Sequence, residues 1–61
     1  MPEVYIHAAK ERTLDQKRAL VKDVTDAIVK HFDVAPEAVL VRIYADDPES
    51  KAKGGVLFSD R

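Results

Sequence analysis

Pro2 is the residue of this 61-residue chain whose type and place most suit chemistry. Pro2 stands directly behind Met1, and methionine aminopeptidases remove an initiator when the second side chain is small. Removal exposes a secondary amine built into a ring. An ordinary α-amino group titrates near ~7.7–8.0. A proline amine is intrinsically more basic, so its surroundings must lower it before it serves as a base near neutrality. Burial and neighbouring cations both act in that direction, because each disfavours the ammonium form. With Met1 still attached, the Pro2 nitrogen is an amide and has no basicity. An arginine supplies a planar fork that meets a carboxylate through paired hydrogen bonds. An amine base beside such an anchor suits removal of a proton next to the carbonyl of a small oxo acid, or of its enol proton.

Two strands and a helix position these groups. Residues Glu3 to Ala8 alternate, with Val4, Ile6 and Ala8 on one face and Glu3, Tyr5 and His7 on the other, the period-2 signature of a half-buried strand. Thr13-Leu14-Asp15-Gln16 reads as a capping box, in which Thr13 accepts from a backbone amide and Gln16 reaches back. A helix is predicted behind it to about His31 or Phe32. Its apolar stripe is Leu20, Val21, Val24, Ala27, Ile28 and Phe32. Asp33 and Ala35-Pro36-Glu37 end it, since proline disfavours helical geometry in the residue before it. Val39 to Tyr44 is the second predicted strand, with Leu40, Arg42 and Tyr44 on the face opposite Val39, Val41 and Ile43. A helix between two strands is a crossover long enough for parallel pairing, which makes the unit β-α-β and right-handed. Asp46 to Ser50 reads as a loop, Gly54-Gly55 as a tight turn and Val56-Leu57-Phe58 as a short strand.

Composition bounds what this unit can be. A chain this short buries only about 60% of its unfolded surface, and the usual remedies are disulfides, a structural metal or association. There are no cysteines, and His7 and His31 fit no zinc spacing. Association is the remedy left, and neither a metal nor another cofactor is expected. The net charge of −1 gives no electrostatic reason to bind nucleic acid or an anionic membrane. No apolar run is long enough to span a bilayer. The first residues also lack a secretory signal, so cytoplasmic residence is expected.

The order and spacing of Met1-Pro2, His7 on the first strand, Glu11-Arg12, the capping box, Gln16-Lys17-Arg18 and the tail Gly54-Gly55-Val56-Leu57-Phe58-Ser59-Asp60 resemble the tautomerase superfamily of the short 4-oxalocrotonate tautomerase type. The resemblance covers essentially the whole chain, 1–61, as a single tautomerase-like domain. It implies an α+β fold: a β-α-β unit with a C-terminal hairpin, pairing into a four-stranded sheet in a dimer and assembling to a hexamer, a trimer of dimers. In that family the amino-terminal proline is a general base beside carboxylate-binding arginines. Pro2 matches the proline, and Arg12 matches an arginine that holds a substrate carboxylate. Two positions depart from the pattern. Leu40 stands where the family has a second arginine, and Lys51 stands near a pocket aromatic. Arg42, on the face of Leu40 and about 6.5–7 Å along the strand, is a candidate replacement cation, and Lys51 is another.

The implied activity is keto–enol isomerisation of a 2-hydroxydienoate or an enolpyruvate such as an arylpyruvate enol. Pro2 would be the base, Arg12 the anchor, and Arg42 or Lys51 would bind substrate. Two alternatives stay open. The same amine, kept protonated, suits an acid role in hydration, dehalogenation or decarboxylation of unsaturated or oxo acids. A non-catalytic, assembly-forming relative is the other. Ordinary roles also exist for each side chain: Arg12 as a surface charge, Arg42 as an interface partner of a loop aspartate, Lys51 as a solvated loop residue. His7 reads as a packed or interface histidine, His31 as a cation answering the helix dipole, and Tyr5 and Tyr44 as packing residues.

Overall fold

The computed structural model describes residues Met1–Arg61. Strand β1 (Glu3–Ala8) leads through a polar turn to helix α1 (Leu14–Phe32), and a short 3-10 turn at Pro36–Ala38 precedes strand β2 (Leu40–Ala45). A second 3-10 turn (Pro48–Ser50) connects to the two-residue strands β3 (Ala52–Lys53) and β4 (Val56–Leu57), and a third (Phe58–Asp60) ends the chain. β1 and β2 are parallel, from Glu3 opposite Leu40 to Ala8 opposite Ala45. β3 and β4 form a separate antiparallel hairpin. The architecture is the α+β one expected, a β-α-β unit followed by a hairpin.

Local chemistry accounts for each boundary. Thr13 caps α1: its hydroxyl accepts from the Gln16 N–H at 3.1 Å, and Gln16 Oε1 accepts from the Thr13 N–H at 3.1 Å. Such a cap satisfies two of the donors a helix start leaves open. Asp33 ends the helix in the left-handed region (φ 55°, ψ 52°), its N–H donating to Val29 O at 3.1 Å. Aspartate tolerates that conformation better than most residues. Gly54 (φ 61°) and Gly55 (φ 80°) both sit at positive φ, as a two-residue hairpin turn requires. Val39 closes the 3-10 turn with its N–H on Pro36 O, so β2 begins one residue later than the alternation predicts.

One face of the strand pair and one side of the helix supply what core there is. Val4, Ile6 and Ala8, Val41 and Ile43, and Val21, Val24, Thr25, Ile28 and Val29 are half-buried. The helical stripe is therefore rotated from its predicted position. Leu20 is 41% exposed, Phe32 62% exposed, and Ala27 also faces outward. None of the 61 residues is fully buried. The accessible surface is 4946 Å² for 6.8 kDa, where a compact monomer of that mass exposes about 4000 Å². The radius of gyration is 14.8 Å, against about 10.5 Å for a compact chain of this length. The isolated subunit thus leaves the outward sheet face and a flank of the helix uncovered. No helix is long and apolar enough to cross a membrane.

Candidate active site

The site residues fall at two ends of the parallel ladder. At its start, Pro2 is half-buried and its carbonyl accepts the Leu40 N–H at 3.0 Å, which pins the head of β1 to β2. Beside it on the outward face, Glu3, Tyr5, Leu40, Val41 and Arg42 line a depression of about 390 Å³. The Tyr5 hydroxyl donates to Glu3 Oε1 at 3.1 Å. That bond, followed by the charge of the carboxylate, holds the phenol above its ordinary pKa. Arg42, paired with Tyr5 in the register, places its guanidinium carbon 5.6 Å from the Tyr44 ring centre, within cation–π range. It makes no ion pair within the chain.

At the other end, the His7 ring stacks on Tyr44, with centroids 4.5 Å apart and planes inclined by 6°. His7 Nδ1 lies 3.2 Å from Asp46 Oδ1, and the second oxygen of Asp46 lies 4.0 Å from Lys51 Nζ. Lys51 Nζ is also 5.5 Å from the Phe58 ring centre. Ala9, Asp46, Asp47, Pro48, Lys51 and Phe58 enclose a cleft of about 340 Å³. The hairpin is tied to this end by the Phe58 N–H on Lys51 O at 2.8 Å. Asp47 shapes its rim by accepting the Glu49 N–H at 2.9 Å.

Arg12 follows four residues after β1 and is exposed. Its backbone N–H donates to Glu11 Oε1 at 3.1 Å and its Nη1 donates to Lys10 O at 3.3 Å. No carboxylate of the chain pairs with its guanidinium, so the fork is open to another one. Neighbouring Glu11 is ion-paired to Lys17 of α1. That contact first, and the Arg12 N–H second, hold the Glu11 carboxyl below its usual range.

Within one chain these groups do not converge. Six strand residues separate Pro2 from the turn that leads to Arg12, and at ~3.3 Å each they span about 20 Å. Arg42 lies on the face that adjoins Pro2, while Lys51 belongs to the distant cleft. Lys51, rather than Arg42, faces the loop aspartate. Sequence reading assigned neither the His7–Asp46 pair nor Phe58 to a site. A histidine on the outward parity of one strand and an acid just beyond the neighbouring parallel strand is the signal that relates the first two.

A parallel strand pair joined by one long helix, a closing hairpin, and a half-buried proline heading the first strand define a small α+β unit with no fully buried residue. The chain belongs to the tautomerase family: the family described as "Tautomerase enzyme" matches residues 2–61. The probable tautomerase bsl7456 of Bradyrhizobium diazoefficiens is 38% identical over 61 residues, covering 100% of this chain and 91% of that protein. The crystal structure of YwhB, a homologue of 4-oxalocrotonate tautomerase, aligns with a TM-score of 0.87 and 32% identity over 98% of both chains. The 4-oxalocrotonate tautomerase of Chloroflexus aurantiacus, a heterohexamer, aligns with a TM-score of 0.80 and 25% identity, covering 98% of this chain and 97% of that one.

Proposed function

We propose that the protein is a proline-based tautomerase, in which the free amine of Pro2 from one subunit works beside Arg12 of a neighbouring subunit. Pro2 takes the enol proton, or the proton next to the carbonyl, of a 2-hydroxydienoate or enolpyruvate-type acid. It returns that proton to a carbon of the conjugated system: starting from the enol proton this turns enol into ketone, starting from the carbon-bound proton it shifts the double bond, and neither changes the composition. Arg12 holds the carboxylate through its unpaired fork. Arg42 or Lys51 supplies a second cation in place of the one that Leu40 lacks, and stabilises the charge that develops on the dienolate oxygen.

Membership of the tautomerase family supports the reaction class, and the place of Pro2 supports the base. Pro2 is half-buried at the head of β1, next to a depression that contains Arg42. Partial burial lowers the basicity of an amine, and a guanidinium brought beside it by a neighbouring subunit would act the same way. The span of β1 is what calls for a second chain: Arg12 cannot fold back about 20 Å to Pro2. A homo-oligomer, arranged as dimers with four-stranded sheets that join into a hexamer, covers part of the exposed surface and brings the two ends together. The cytoplasm, where the initiator is trimmed, is the proposed location.

The experiment is a comparison of intact mass with turnover. Active protein should be one methionine lighter than the encoded chain. A preparation that keeps Met1 should assemble but fail to ketonise an arylpyruvate enol, because its Pro2 nitrogen is an amide. Equal turnover by the Met1-bearing protein would refute the assignment. A pH–rate profile separates base from acid: activity must rise as the amine loses its proton, and a fall would favour the hydratase, dehalogenase or decarboxylase chemistry.

A further inference from the structure

We propose that His7, Asp46 and Lys51 form a proton-linked binding site for a small carboxylate with an apolar tail, seated in the cleft between Ala9, Pro48 and Phe58. The proposal rests on the tautomerase reading only for what the ligand is in the cell, since the same site would serve the carboxylate end of an oxo-acid substrate.

Asp46 is the shared element. Its side chain is 26% exposed, whereas His7 and Lys51, on its two oxygens, are 55% and 56% exposed. The two contacts differ in kind. His7 Nδ1 is within hydrogen-bond reach at 3.2 Å, and its ring is fixed by stacking on Tyr44. Lys51 Nζ at 4.0 Å is beyond a hydrogen bond, so only a screened Coulombic attraction holds it. With a neutral imidazole, Asp46 offsets the charge of Lys51. When His7 takes up a proton, the imidazolium offsets Asp46 instead, and the surroundings of the cleft become less negative by one charge, with Asp47 the carboxylate left beside Lys51. The remaining groups near His7 do not reverse this. Arg42 lies against Tyr44, and Asp47, which also lines the cleft, keeps its charge while accepting the Glu49 N–H and so lowers anion affinity at every pH alike.

The cleft suits the ligand class. At about 340 Å³ it accommodates a small molecule. Ala9, Pro48 and Phe58 offer apolar wall to a hydrocarbon portion, and Lys51 stands over the Phe58 ring, where a carboxylate beside that portion would meet it. Anion affinity should therefore rise as His7 is protonated, and by linkage a bound carboxylate must raise the affinity of His7 for its proton by the same factor. One added charge at this range in largely aqueous surroundings is worth about threefold to fivefold.

The probe is benzoate, a carboxylate on an apolar ring, and the readout is the nuclear magnetic resonance titration of His7, assigned with His31→Gln. Benzoate should raise the midpoint of His7 by about half a pH unit, the equivalent of that threefold to fivefold tightening. Lys51→Met should abolish the displacement and Lys51→Arg should keep it. Asp46→Asn should bind benzoate more tightly at pH values where His7 is neutral. A midpoint that ignores benzoate, or a displacement that survives Lys51→Met, would overturn the proposal. The same titration in Pro2→Ala separates the two readings. A benzoate effect that persists there, with no Pro2-dependent turnover in the parent, sinks the tautomerase reading alone. Pro2-dependent turnover without a benzoate effect sinks this proposal alone.

Discussion

The two ends of the β1–β2 ladder are built differently. The proline end holds one backbone hydrogen bond between Pro2 and Leu40, a phenol–carboxylate pair and an arginine with no ionic partner. The far end holds a network, with a stacked histidine, an aspartate between that histidine and a lysine, and the lysine over an aromatic ring, and near it in the chain an arginine with no ionic partner. On the proposed reading, the proline end offers the base once Met1 is removed, and little that grips a substrate. On the same reading, the far end offers cations to an anion and has no base comparable to a ring amine. Each is half of a site, and a 61-residue chain without a buried side chain cannot join them by folding alone. Association, as proposed, would supply the missing surface and the missing partner together.

Substitutions at the two ends should therefore separate rate from binding. Pro2→Ala is expected to have the largest effect. It replaces the secondary ring amine with a primary, mobile one, and loss of a positioned base typically costs about 10²–10⁴-fold in kcat, measured on enol ketonisation by an otherwise intact oligomer. Arg12→Lys should act mainly on KM, raising it roughly 10- to 100-fold as one charge-assisted hydrogen bond of the fork is lost, with kcat changed little. A large kcat loss in Arg12→Lys with KM unchanged would erase the distinction between the ends.

Thr13→Ala tests the scaffold between them. It removes the capping hydroxyl of α1 and should lower stability by about 1 kcal/mol, read by chemical denaturation at a fixed protein concentration because association contributes to the transition. The smallest expected effect is at Tyr5. Glu3 holds its phenol above the ordinary value, so Glu3→Gln should bring ultraviolet ionisation of Tyr5 to lower pH. Tyr44→Phe makes this clean, since the chain has two tyrosines and no tryptophan. The sign also bears on stability. A phenol whose folded pKa is raised contributes stability below its unfolded value and loses it as pH rises through the folded one. Glu11 runs the other way. Its carboxyl is lowered by Lys17 and by the Arg12 N–H, so its contribution is present above the ordinary carboxylate range and is lost as pH falls through the lowered value.

Much of the scaffold is legible from local pattern because local rules govern it. The Thr13–Gln16 box, the alternation of Glu3 to Ala8 and the Gly54-Gly55 turn each fix a conformation with neighbours a few residues away. What escaped depends on contacts distant in sequence. His7 and Asp46 are 39 positions apart and meet only because β1 and β2 run parallel in register. The helical stripe was placed on the right side of α1 but too far round. Periodicity gives an apolar arc without saying which half touches this sheet, and Leu20, Ala27 and Phe32 lie on the half left open. Pro2 and Arg12 are linked in the sequence through the family resemblance alone. Their separation along β1 is not legible there, since it follows from the strand being extended and paired along its full length.

Complementation between subunits tests the shared site most directly. Pro2→Ala and Arg12→Ala proteins are each unfolded, mixed and refolded together, and turnover is compared with that of each variant refolded alone. Mixed particles contain sites in which an intact Pro2 from one chain faces an intact Arg12 from another, so turnover should rise well above the sum of the parents. Turnover equal to that sum, in particles shown by mass to be mixed, would mean that proline and arginine do not serve one site from two chains.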